Sequence, residues 1–165
     1  MQLARFWRHV LMTPARARRA FPRATLDAIE REIAAQEQRH GGQVCFIVEA
    51  ELHTAALWRD VSARDRAREL FALHGVWNTE HNNGVLVYVL LAERRVEIVA
   101  DRGIDRLADP AAWTRIVAAM EPLLRADRFE EAAIAGVRGV SDLLAAHFPP
   151  VPHGTNVLPD RPLVI

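Results

Sequence analysis

The sequence predicts an α/β fold: a single-domain αβα sandwich on a small mixed central sheet, with an Arg-rich N-terminal arm and an extended Pro-rich C-terminal tail. Three observations predict it. Two apolar runs, residues 44–48 and 85–91, are short and rich in β-branched residues, and the second is apolar on both faces, as a central strand covered on each side must be. Around them lie segments whose apolar residues recur at three and four, the helical spacing. The order helix, strand, helix, strand, strand, helix, helix then sets helices against both faces of one sheet. A chain of 165 residues, half hydrophobic and a quarter charged, builds one domain with a real core and is neither disordered nor fibrous.

The arm, residues 1–23, holds six arginines and no acidic residue, while the remaining chain has 15 arginines against 21 acids. Phe6, Trp7, Val10, Leu11 and Met12 lie between the arginines, so the arm reads either as an amphipathic helix on a membrane surface or as a helix packed on the domain. The domain proper spans 24–148. A helix over 24–40 turns Leu26, Ile29 and Ile33 inward and stops at Gly41-Gly42. Residues 44–48 form a buried strand, in which Cys45 is a small hydrophobe. Ser62 and Asp65 cap a second helix with Ala67, Leu70 and Phe71 inside and Gly75 as its stop. The central strand over 85–91 turns through Ala92-Glu93-Arg94 into an alternating strand over 95–100, nearer the sheet edge. Asp109-Pro110 starts a helix with Trp113, Ile116, Val117 and Met120 inward, which Pro122 is expected to interrupt. Residues 127–130 are expected to cap a last helix that buries Ala133, Val137, Val140 and Leu144. The tail, 149–165, has five prolines and cannot be helical; its apolar end, Leu163-Val164-Ile165, is expected to dock as a strand.

The hairpin has a chemical consequence. It reverses direction, so Asn82-Asn83-Gly84, entering the first strand, and Asp101-Arg102-Gly103, leaving the second, meet at one end of the sheet. Trp77, Glu80 and His81 join from the preceding loop, giving a candidate ligand cleft of Trp77, Glu80, His81, Asn82, Asn83, Gly84, Asp101, Arg102 and Gly103. Carboxylate and amide oxygens are the hard donors that calcium or magnesium takes, which makes Glu80, Asn83 and Asp101 the candidate metal ligands. The same Asn-Asn-Gly and Asp-Arg-Gly sequences are also ordinary turn chemistry. No nucleotide-binding, serine-hydrolase or zinc-protease motif occurs, and no catalytic residue is assigned. The tryptophans at 58, 77 and 113 are expected as core anchors, with Trp77 the one that also fits the cleft, and most histidines as surface or helix-end residues.

Residues 77–88 (Trp-Asn-Thr-Glu-His-Asn-Asn-Gly-Val-Leu-Val-Tyr) followed by 95–104 (Arg-Val-Glu-Ile-Val-Ala-Asp-Arg-Gly-Ile) resemble the core of the TPM domain, a family of thylakoid-lumen photosystem-repair proteins and many bacterial membrane-associated proteins. The resemblance covers about 24–148. Ala20-Phe21-Pro22, Asp101-Arg102-Gly103-Ile104 and the tail Leu158-Pro159-Asp160-Arg161-Pro162 are similar to its short bacterial branch. It implies an α/β sandwich, divalent-cation binding and, for plant members, phosphatase activity. It further implies an accessory or partner-binding role beside a membrane-associated protein, of LemA type or another TPM protein. Two alternatives stand beside it: a metal-dependent phosphatase, with Asp101 and Glu80 on the metal and Arg102 on phosphate, or a surface binder that uses the arm on anionic lipid or nucleic acid, although no nucleic-acid partner is expected. Longer relatives carry an export signal and a transmembrane anchor. The Arg-rich segment here, with no apolar stretch of roughly 18 residues, leads us to expect a cytoplasmic protein, peripheral at the membrane.

Overall fold

The described residues, 3–150 and 157–165 of a computed structural model, carry one four-stranded sheet. Three helices precede it: α1 (Leu3–Leu11), α2 (Pro14–Ala20) and α3 (Arg23–Glu37). Strand β1 (Gln43–Glu49) leads through α4 (Thr54–Trp58) and α5 (Ala63–Leu73) to β2 (Gly84–Leu90). A 3-10 turn, Leu91–Glu93, joins β2 to β3 (Arg95–Ala100). Helices α6 (Arg102–Asp105), α7 (Pro110–Arg125) and α8 (Phe129–His147) follow, and the tail ends in β4 (Leu163–Val164). The sheet order is β3-β2-β1-β4, with β1 parallel to β2 and β4 and the β2–β3 hairpin antiparallel.

Alternation along the strands divides the core into two layers. Val44, Phe46, Val48, Val85, Val87 and Val89 face α3, α7 and α8, where Ile29, Ile33, Met120, Val137, Val140 and Leu144 meet them. Cys45, Ile47, Leu86, Tyr88 and Leu90 face α4 and α5, against Leu57, Ala67 and Leu70. Every residue of β1 and β2 is buried, whereas β3 begins exposed at Arg95. The chain is thus the helix–sheet–helix sandwich its sequence predicts.

Several local expectations are corrected. Pro122 does not interrupt α7: the helix runs through it, with Met120 and Leu124 fully buried on either side, so packing outweighs the one N–H that proline lacks. Residue Asp127 does not cap α8. It takes a left-handed φ of 59° and pairs with Arg94 at 2.6 Å, and no side chain caps that helix. Trp58 and Trp77 are not core anchors, being 67% and 54% exposed, while His9 and His40 are buried rather than superficial. Helix α3 ends three residues before His40, and the short helices α4 and α6 were not foreshadowed by any periodicity.

Both flanking segments pack on the domain. From α1, Arg5 Nε donates to Glu93 Oε1 at 2.7 Å and Arg5 Nη2 to the Val61 carbonyl at 2.6 Å. The Leu52 N–H donates to His9 Nδ1 (3.0 Å), so the His9 proton sits on Nε2 and points at Glu93 Oε1, also 3.0 Å away. The tail returns to its own sheet: β4 lies along Ile47 and Val48, and Gln43 Oε1 accepts from the N–H groups of Val157 and Leu158.

Candidate functional site

Because Val85 lies opposite Ala100 in the hairpin, the residues just outside the pair are neighbours. Backbone bonds join the two loops: Asp101 N donates to Gly84 O (2.9 Å), and the N–H groups of Gly103 and Ile104 converge on Asn82 O (2.8 and 3.3 Å). Asn82 turns the chain with a left-handed φ of 52°, which asparagine tolerates better than most residues. Neither glycine of this junction needs a positive φ; each permits close backbone approach. A Cβ on Gly84 would stand 2.1 Å from Val76 O, and one on Gly103 would stand 2.4 Å from Asn82 O.

The side chains are disposed differently from one another. Asn83, 2% exposed, donates Nδ2 to Gly41 O (2.9 Å) and its N–H to Thr79 Oγ1 (3.0 Å), locking the loop to the start of β1. Asp101, 4% exposed, caps the four-residue α6: Oδ1 accepts from Arg102 N at 2.7 Å, while Oδ2 is sealed from solvent and meets no donor among the described residues. Trp77, Glu80, His81, Asn82 and Arg102 are exposed. Among the described residues no three His, Cys, Asp or Glu side chains converge to hold a metal.

A cavity of about 290 Å³ opens beside the junction, between the end of α3, residues 41–43, residues 79–83 and the tail at Val157 and Asp160. Of the sequence-derived cleft, Glu80, His81 and Asn83 line it; Trp77, Asn82, Gly84, Asp101, Arg102 and Gly103 do not. The cavity adds residues that motif reading missed, notably Glu37 and His40. Burial raises the Glu37 carboxyl to about 7, against the opposing hydrogen bond that Val44 N donates to Oε1 at 3.0 Å. Burial likewise lowers the His40 pKa; Nδ1 donates to Gly42 O (3.1 Å), leaving the enclosed Nε2 as an unused acceptor. Glu37 and His40 thus give one wall of the cavity two titratable groups whose charged forms burial disfavours. The one sequence cue is position: both stand at the helix end that abuts the Gly41-Gly42 turn.

A larger cavity, about 790 Å³, lies at the opposite end of the sheet, where β1 finishes and α1 and α2 cross it; His9, Arg18, Glu51 and His53 line it. That end, outside the carboxyl ends of parallel strands, is where open α/β sheets commonly take ligands. On the α5 face, buried Glu49 accepts Arg66 Nε and Nη2 at 3.0 and 2.9 Å and the Tyr88 hydroxyl at 2.6 Å. This network is a satisfied element of the second core layer.

A family model for the TPM domain matches residues 17–143. Among solved structures, the BA42 protein of the psychrophilic bacterium Bizionia argentinensis superposes with a TM-score of 0.76 at 22% identity, covering 86% of this chain and 93% of that one. The N-terminal domain of a P. gingivalis protein gives a TM-score of 0.61 at 23% identity, covering 79% and 81%. At these identities the likeness is one of fold. No curated protein matches the chain in sequence.

Proposed function

The chain belongs to the TPM domain family, and on that premise we propose that it is an accessory module that binds a divalent cation at the 82–84/101–103 junction and acts beside a membrane-associated protein, of LemA type or another TPM protein. The carrying observation is Asp101 Oδ2, a buried carboxylate oxygen without a donor. A buried charge is strongly disfavoured unless something pairs with it, and a cation supplies that pairing. The donors would make a thin site: Asp101 lies outside the cavity that Glu80 and Asn83 line, so binding requires its sealed Oδ2 to open to the ion and to water. Asp101 is its one buried carboxylate, Asn83 keeps its amide oxygen after Nδ2 is taken by Gly41, and Glu80 stands exposed on the same loop. One or two carboxylates with several waters suit magnesium, or calcium at millimolar affinity. The adjoining cavity, with Glu37 and His40, is the companion site for a polar ligand.

Thermal melts with calcium, magnesium and EDTA test the reading. A ligand that binds only the folded state raises its melting point, so millimolar metal should stabilise the wild type. Asp101→Asn keeps a good helix cap but removes the charge, and should abolish the shift. An unchanged wild-type melting point at millimolar metal would remove the cation role; co-expression with a LemA-type protein followed by size exclusion tests the partner separately.

A further inference from the structure

Helix α1 is amphipathic in the reverse of the usual sense. Its charged side faces the protein: Arg5 is clamped by Glu93, Asp60 and the Val61 carbonyl, and His9 is buried between Leu52 and Glu93. Its apolar side faces out. Leu3, Trp7, Val10 and Leu11, spaced at i, i+4, i+7 and i+8, form one stripe and are between 49% and 70% exposed. Phe6 turns inward and meets the edge of Trp7 with ring centroids 5.9 Å apart. Arginines flank the stripe. Arg8, Arg16, Arg18 and Arg19 are exposed, and among the described residues none of them meets a carboxylate; Arg8 and Arg16 bond only carbonyls of their own segment, Ala4 and Leu11. The segment 1–23 contains no acidic residue to neutralise them.

We propose that this face, Leu3, Trp7, Val10 and Leu11 rimmed by Arg8, Arg16, Arg18 and Arg19, docks the protein peripherally on an anionic lipid bilayer. A stripe of large apolar side chains on a short helix buries itself at the headgroup boundary, and arginines beside it meet phosphates and anionic headgroups. The charge complementarity is one-sided: four cations without a carboxylate partner among the described residues share α1 and α2 with the apolar stripe, which suits an anionic surface better than a second copy of the same basic face. The buried Arg5–Glu93–His9 clamp fixes the helix with that stripe outward. It sits over the 91–93 turn at the end of β2, whereas the Asp101 junction lies at the start of that strand, about 20 Å away for seven residues. A docked molecule therefore presents the junction away from the bilayer, and the two readings fail independently.

Vesicle co-flotation tests this with the full chain, using phosphatidylcholine vesicles with and without phosphatidylserine. The wild type should float only with the anionic vesicles and dissociate as salt is raised. Trp7→Ser with Leu11→Ser, and separately Arg18→Gln with Arg19→Gln, should each weaken binding about tenfold or more, while circular dichroism melts stay unchanged because all four side chains are exposed. Three results would overturn the proposal. These are no flotation with anionic vesicles, flotation of both double variants undiminished from wild type, and a wild-type dimer in solution that Trp7→Ser splits, which would make the stripe an interface between copies.

Discussion

At Glu37 burial and hydrogen bonding pull in opposite directions, and burial prevails, bringing the carboxyl to about 7 with the Asp160 charge adding to the rise. The unfolded chain releases this proton near 4.5, so between about 4.5 and about 7 the folded state holds a proton that the unfolded state has lost. Stability therefore falls as pH rises through that window and levels off above it. Glu37→Gln retains an oxygen for the Val44 N–H and cannot ionise. Urea midpoints at about pH 5 and about pH 8 should show the variant gaining on the order of 2 kcal/mol over wild type at the higher pH, discounted for partial exposure, and little at the lower. At Gly84 the constraint is steric. A methyl group there would stand 2.1 Å from Val76 O, a backbone atom that cannot swing away, so Gly84→Ala should cost about 2 kcal/mol or more in the same titration. The Asn-Asn-Gly and Asp-Arg-Gly residues could be located from sequence because a hairpin fixes which ends meet. Which way Asp101 and Asn83 turn could not: Asn83 is held by Gly41, 42 residues away, and Asp101 caps α6, a helix too short to show a period.

Among elements, those with long apolar periods were legible: α3, α5, α8 and both inner strands lie within a few residues of their sequence-derived limits. The misses share a cause. Helices α4 and α6 are too short to show a period, and Pro122 and Asp127 carry strong local signals that packing and the Arg94 pair override. Helix α1 was ambiguous because its polar side is the buried one. That side depends on Glu93, whose carboxyl burial would push up but which the hydrogen bonds of His9 and Arg5 hold down to about 2. The stabilisation is present above about 4.5 and is lost as pH falls through about 2. Glu93→Ala removes the anion that Arg5 and His9 share and leaves Arg5 only the exposed Asp60, a loss of about 2 kcal/mol or more for a mostly buried network. Amide hydrogen exchange should then accelerate across α1 while β2 keeps its protection. Equal acceleration in both would mean that α1 and the sheet unfold as one unit.

The whole molecule has two sheet edges, and they are guarded by different means. On the outer side of β3, Arg95 is exposed, Glu97 pairs with it at 3.4 Å, and Arg64 reaches across to the Ile98 carbonyl; charge of this kind discourages pairing with another chain. Strand β1 has no such guard, because all seven of its residues are buried. Its free edge is instead covered by the tail: Ile165 N donates to Val48 O, Ala50 N donates to Ile165 O, and Gln43 holds Val157 and Leu158 at the other end. Leu158, 6% exposed in the α5-side core, is the anchor between these bonds. Leu158→Asp should therefore do more than remove its burial, about 2 kcal/mol. It should lift the tail and expose an unguarded apolar edge, so that light scattering shows self-association under native conditions, whereas Arg95→Ala leaves Glu97 and Arg64 guarding the far edge and the chain as dispersed as wild type. A Leu158→Asp protein that melts lower yet does not self-associate would show that the tail contributes packing alone and that the β1 edge is protected by something other than β4.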